Sequence, residues 1–106
     1  MKKTALAVLV SLSLGGSALA DSAEEIWKAK CKSCHGATGK ADTKQGKKEK
    51  VKDISTARWQ EKHSDEQIRK VIHDGDPDNE KMKPFGDKLT AEQIDSLVKL
   101  IRTFKS

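Results

Sequence analysis

Cys31-Lys32-Ser33-Cys34-His35, followed directly by Gly36, is the stretch on which the reading of the whole chain turns. C-x-x-C-H is the attachment spacing of c-type haem. Two thiols at that spacing can form thioether bonds to the porphyrin vinyl groups, and the adjacent imidazole is then held beneath the ring within reach of the iron. Three other chemistries use paired cysteines. A zinc site needs further ligands at metal spacing, and there is no second Cys or His pair in the chain. A thioredoxin-type disulfide wants a β-α-β setting, and nothing nearby alternates like a strand. A plain C-x-x-C disulfide is the alternative that stays open beside haem. The cofactor expected is therefore one covalently attached haem c, held by Cys31 and Cys34, with His35 as the proximal iron ligand.

The compartment agrees with that chemistry. Lys2 and Lys3 precede an apolar run, and Gly15, Gly16 and Ser17 lead into Ala18-Leu19-Ala20, a small-x-small cleavage site. This is the anatomy of a secretory signal peptide. The run is short for a spanning helix, which needs about 20 apolar residues. The expected organisation is a cleaved signal peptide at residues 1–20 and one haem domain at residues 21–106. The expected location is the periplasm, where the mature chain is soluble. Oxidising export routes are also where paired cysteines persist.

Charge and core size bound the rest. Loss of Lys2 and Lys3 takes 21 basic residues to 19 against 16 acidic ones, a formal +3. Two haem propionates bring that close to neutral, so bulk charge does not point to nucleic acid or any other polyanion. More than a third of the chain is charged, and its only aromatics are Trp27, Trp59, Phe85 and Phe104. A domain this short buries a modest share of its surface and often needs a staple. A porphyrin supplies the large apolar body that the side chains lack.

Capping boxes mark three helices. Ser22-Ala23-Glu24-Glu25 opens one that runs through Trp27 into Cys31, and residues four apart share a face. Ser64-Asp65-Glu66-Gln67 opens another, with Ile68, Val71 and Ile72 inward and Gly75 placed as a left-handed cap. Thr90-Ala91-Glu92-Gln93 opens the last, where Ile94, Leu97, Val98, Ile101 and Phe104 or Lys105 form an amphipathic stripe and Leu100 lies beside it. Ser55 or Thr56 caps a short helix carrying Trp59, a residue placed either in the core or against the haem with its indole N–H on a propionate. Residues 36–52 are almost wholly polar and read as a surface loop. Asp74-Gly75-Asp76-Pro77-Asp78 resembles the start of a calcium loop. However, Asn79 stands where such a loop requires Gly, and Phe85 where it requires Glu. The stretch reads as a solvated acidic turn.

Iron has a second axial position, and its occupant sets the chemistry. Met82 is the only methionine after residue 20 and lies in a Pro/Gly-punctuated loop between two helices. A thioether is a soft donor, and Met/His ligation raises the reduction potential. Met82 is the expected distal ligand. His63 reads as a solvated surface residue, and His73 as a cation at a helix C-terminus.

In this order of elements the chain resembles the class I, monohaem cytochromes c, over nearly all of residues 21–106. The resemblance rests on Trp27 four before the first Cys, Cys31-x-x-Cys34-His35-Gly36, the helix over residues 65–75, Met82-Lys83-Pro84-Phe85 and the final amphipathic helix. It implies an all-α cytochrome c fold of three to four helices and long loops wrapped around one haem, with Trp27 meeting Leu97 or Ile101 where the first and last helices cross. Two departures stand out. Lys83 separates Met82 from Pro84, and residues 36–52 lack the family's proline, whose carbonyl often orients the proximal imidazole. The acceptor for the Nδ1 proton of His35 is thus unassigned, although such a partner is expected. The implied function is single-electron carriage between redox proteins, not an enzyme, with lysines steering partners that carry acidic faces. The chain is expected to act as a monomer. A ligand sensor or weak peroxidase with an open or labile distal site is the alternative, and a haem subunit of one oxidoreductase a third reading.

Overall fold

The structure is a computed structural model and describes residues 22–105. The signal-peptide expectation for residues 1–20 falls outside the described residues. Five helices are present among them, and no strand beyond an isolated bridge between Asp76 and Asn79.

Helix α1 is three abutting segments, Ala23–Ile26, a π-helical turn at Trp27–Cys31, and Lys32–His35. The Ser22 capping box is formed: the Glu25 amide donates to Ser22 Oγ, and the Ser22 amide donates to Glu25 Oε1. Helix α2 is Lys44–Lys48, α3 Ala57–Lys62, α4 Asp65–Asp74 and α5 Ala91–Arg102. Thr43, Thr56, Ser64 and Thr90 cap α2 to α5, and the boxes at Ser64 and Thr90 are both complete. No helix among the described residues is long and apolar enough to cross a membrane.

The expected surface loop is corrected at one place. Residues 36–52 contain α2, so there are five helices rather than three or four. Helix α2 buries only Gly46, which is why hydrophobic spacing did not reveal it.

The core lies where α5 crosses α1 and packs on α4. Ile26 and Trp27 from α1 meet Ile68 and Ile72 from α4 and Ile94, Leu97, Val98 and Ile101 from α5. The amphipathic reading of α5 is matched residue by residue, and Phe104 rather than Lys105 ends its buried stripe. Trp27 lies in the same cluster as Leu97 and Ile101. The aromatic it meets is Phe104, edge to face with centroids 4.9 Å apart, a preferred geometry for ring quadrupoles. Each such fully buried apolar side chain contributes about 1.5–3 kcal/mol. The crossing therefore fixes α1 and hence the segment that carries the C-x-x-C-H motif.

Candidate haem site

The C-terminal half of α1 presents Cys31, Cys34 and His35 to one cavity. Within the helix the Lys32 amide reaches back to the Trp27 carbonyl, an i to i+5 bond. Such π turns occur chiefly as single turns at functional sites. This one ends on Cys31. Nothing in the residue pattern signals it.

The motif is held from behind by α2 and the loop before it. Thr43 Oγ1 donates to the Ser33 carbonyl at 2.7 Å, with the Cys34 carbonyl 3.3 Å away, and accepts the Gly46 amide at 2.9 Å. One hydroxyl thus closes the C-terminus of α1 and opens α2. A side chain at Gly46 would collide with the Cys34 carbonyl, so glycine permits the close approach. The Ala41 amide donates to the His35 carbonyl at 2.8 Å, and the Trp27 indole N–H donates to the buried Gly36 carbonyl at 2.9 Å.

Both cysteines are free and half-buried. Burial pushes the Cys31 thiol up to about 11, with Lys30 pulling the other way. Burial also lowers the pKa of His35, which favours the neutral imidazole a metal needs. The His35 ring lies 5.6 Å from that of Trp27, and among the described residues its buried Nδ1 has no hydrogen-bond partner. The acceptor left unassigned by the sequence is not supplied by the fold.

Met82 borders the same cavity from a pinned loop. Its amide donates to the Asn79 carbonyl, and its carbonyl accepts the Asp76 amide. Just beyond it, the Phe85 and Gly86 amides donate to the Ile72 and His73 carbonyls at the end of α4. Asn79 Nδ2 donates to the Glu49 carbonyl, tying this loop to the end of α2. Met82 itself is half-buried and packs on the core.

The third wall is α3. Trp59 and His63 stack with centroids 4.5 Å apart, and both face the cavity. The surface reading of His63 is corrected here. The residue is half-buried because it folds onto Trp59 one turn earlier, with its Nδ1 donating to the Trp59 carbonyl at 3.0 Å. Spacing of four from an aromatic was the one available signal. His73, by contrast, does not line the cavity. It is exposed, rests against Gly86, and its Nδ1 bonds Asp74 Oδ1 at 2.7 Å. In the acidic turn, Asp76 Oδ1 accepts the Asp78 amide. Among the described residues no group of three or more His, Cys, Asp or Glu side chains is arranged to hold a metal ion.

The cavity measures about 1740 Å³, beyond the roughly 300–1,000 Å³ of ordinary small-ligand pockets. Two free thiols, a neutral imidazole with no side-chain hydrogen bond, and a thioether surround it. That donor set and that size fit a haem.

The comparisons agree. Residues 18–101 match the family model described as cytochrome C oxidase, cbb3-type, subunit III. A solved KustC0563 c-type cytochrome is 36% identical, covers 81% of this chain and 100% of its own, and superposes with a TM-score of 0.72. A tyrosine-to-phenylalanine mutant of that protein is 35% identical over 80% of this chain and 100% of its own, with a TM-score of 0.69. No curated protein matches the chain in sequence.

Proposed function

The chain belongs to the c-type cytochrome family of that model, haem proteins of electron transfer, and from this premise we propose that it is a periplasmic single-electron carrier. In this reading one haem is attached through Cys31 and Cys34 and ligated by His35 and Met82. The observation that carries it is the convergence of those four side chains, from α1 and from the loop after α4, on one cavity. The haem supplies an iron couple that stores one electron.

The chain's own residues do the remaining work. His35 and Met82 would hold the iron between them and leave no site open to a substrate, and a thioether donor would favour the reduced state. The backbone bonds at Asn79, Asp76, Ile72 and His73 hold the methionine loop in one arrangement, which limits reorganisation. An open groove where α1 meets α2 is lined by Lys28, Lys32, Lys44 and Lys48 together with Ser33, and Ser33 also borders the haem cavity. Four lysines and no acid among the residues lining this groove favour brief encounters with an acidic face of a redox partner.

Met82→Ala tests the reading. The weak near-infrared sulfur–iron band should disappear and the potential should fall, while the haem stays attached. An unchanged spectrum would remove Met82 from the iron. Rapid, tight binding of carbon monoxide by the wild-type protein would instead favour a ligand-binding role with a labile distal site.

A further inference from the structure

We infer that Asn79 is a positioning residue for iron ligation: its side chain latches the Met82 loop to the end of α2, and α2 is the strut that joins this latch to the haem-attachment motif. The inference rests on the reading of Met82 as the distal ligand.

Helix α2 has little part in the core. It buries only Gly46 and otherwise consists of lysines and a glutamine. Both of its ends nevertheless meet the haem site. At its start, Thr43 Oγ1 donates to the Ser33 carbonyl, and Gly46 lies against the Cys34 carbonyl. At its far end, the Glu49 carbonyl accepts Asn79 Nδ2 at 3.0 Å. Among the described residues no other hydrogen bond joins residues 75–84 to residues 36–56.

The end of α2 is shaped for this contact. Lys50 adopts φ +57°, in the left-handed region that favours glycine. The Val51 amide reaches back to the Gly46 carbonyl at 2.9 Å and the Lys50 amide to the Lys47 carbonyl at 3.3 Å, the paired bonds of a left-handed helix stop. The last carbonyls of a helix have no partner within it, and here the Glu49 carbonyl is left for Asn79. The Glu49 carboxylate is engaged along the helix by Gln45 Nε2.

Asn79 is engaged at every polar group. Its amide donates to the Asp76 carbonyl, its carbonyl accepts the Met82 amide, and its Oδ1 accepts the Lys81 amide at 3.0 Å. One side chain thus shapes the turn that carries Met82 and ties that turn to α2, and Glu49, Lys50, Asn79 and Met82 all border the cavity. The loop's other anchors are on α4, where the Val71, Ile72 and His73 carbonyls accept the Gly75, Phe85 and Gly86 amides. With the latch made, the loop is held from two sides. Without it, the loop is hinged on α4 alone and can carry Met82 away from the metal. The apparent affinity of an added ligand scales with the fraction of molecules in that open state. Loss of one hydrogen bond that leaves a carbonyl unpaired shifts the fraction roughly tenfold. The latch is therefore what keeps the iron closed to small ligands.

The probe is imidazole added to the oxidised haem protein, followed together with the near-infrared sulfur–iron band, the reduction potential and the urea midpoint. Asn79→Ala should bind imidazole roughly tenfold more tightly than the wild type, with a weaker band and a lower potential. Asn79→Asp keeps an acceptor for the Lys81 amide but, ionised, has no donor for Glu49, and it too should bind imidazole more tightly. Lys50→Gly and Lys50→Val lose the same charge, but only glycine enters the left-handed turn freely. The valine variant should therefore bind imidazole more tightly than the glycine variant. An affinity gain in Asn79→Ala that a lower urea midpoint fully accounts for would overturn the inference and leave Asn79 a structural residue. Should Asn79→Ala fail to accumulate, the Lys50 pair decides, and equal affinities there overturn the inference. A wild type without the band would refute Met82 ligation and the latch together, whereas a wild-type band and affinity that Asn79→Ala retains would overturn the latch alone.

Discussion

Gly75 has φ +87°, and a methyl group there would lie 3.0 Å from the Met82 carbonyl oxygen and 3.3 Å from Pro84 Cδ. With ψ 169° the backbone is not the left-handed cap expected from the sequence but an extended positive-φ conformation open essentially to glycine alone, which costs another residue about 1–3 kcal/mol. Here the contact adds to that, because the loop carrying Met82 closes against this turn. Gly75→Ala should therefore lower stability by roughly 1–3 kcal/mol and weaken the sulfur–iron band. Equal denaturation midpoints and an equal band would show that the turn does not position Met82. Asp53 works at the same scale through charge. Its carboxylate accepts both the hydroxyl and the amide of Ser55, at 2.5 and 2.8 Å. The Ser55 hydroxyl chiefly holds the Asp53 pKa below its ordinary 3.8; burial opposes it as the next largest effect, and the Ser55 amide and the charge of Lys40 add to the lowering. A depressed carboxylate contributes stability above its unfolded value, and that contribution is lost as pH falls through the lower folded value. Asp53→Asn should thus be less stable than wild type near neutrality, with the gap closing below about pH 4. A gap that stays constant in acid would assign the effect to hydrogen-bond geometry rather than to charge.

Arg102 is the hinge pin between elements. From the last turn of α5 it bonds Asp65 at the start of α4 and the carbonyls of Gln60 and His63 at the C-terminal end of α3. Bonds from a charged donor to carbonyls are worth about 1.5–3 kcal/mol. The exposed share of the Asp65 pair adds little to that. Arg102→Met keeps the apolar stem, so its loss of roughly 2–3 kcal/mol in urea unfolding isolates the guanidinium, and the Trp59–His63 wall should loosen with it. No loss would mean that α3 is held by packing alone. This clamp also shows what the residue pattern can and cannot reveal. Helices α1, α4 and α5 were legible because each begins with a local capping signal and continues with apolar residues at helical spacing. Met82 was legible as a loop residue between two helices, whereas its packing against the core cluster was not. The π turn at Trp27–Cys31 was hidden, since no residue type marks it. Helix α2 was hidden because its one inward residue is Gly46. His63 looked like a surface residue because its neighbours in sequence are charged, while its wall position depends on Trp59 and on an arginine 39 residues away. Contacts of that separation leave no periodic trace.

The molecule as a whole has a core on one side and a cavity on the other. Eleven buried apolar residues cluster around the crossing of α1, α4 and α5. Across the cavity, Trp59, Met82 and Phe85 are only partly buried against that cluster, and α2 has no apolar contact surface of its own. These elements face one another over about 1740 Å³ that their own side chains do not fill. Protein interiors are close-packed, and unfilled apolar space costs the contacts its walls would otherwise make. Small domains have little stability to spare for such a loss. The haem is then a structural component as well as a redox one, and its attachment should decide folding. Expressed without haem-attachment machinery, or as the Cys31→Ala/Cys34→Ala variant, the chain should show weak helical circular dichroism and no cooperative thermal transition. The haem-bearing protein should melt in a single sigmoid. A cooperative melt of the haem-free chain with full helix content would mean that the α1–α4–α5 crossing suffices alone. The cavity would then be a preformed receptacle rather than a space the cofactor creates.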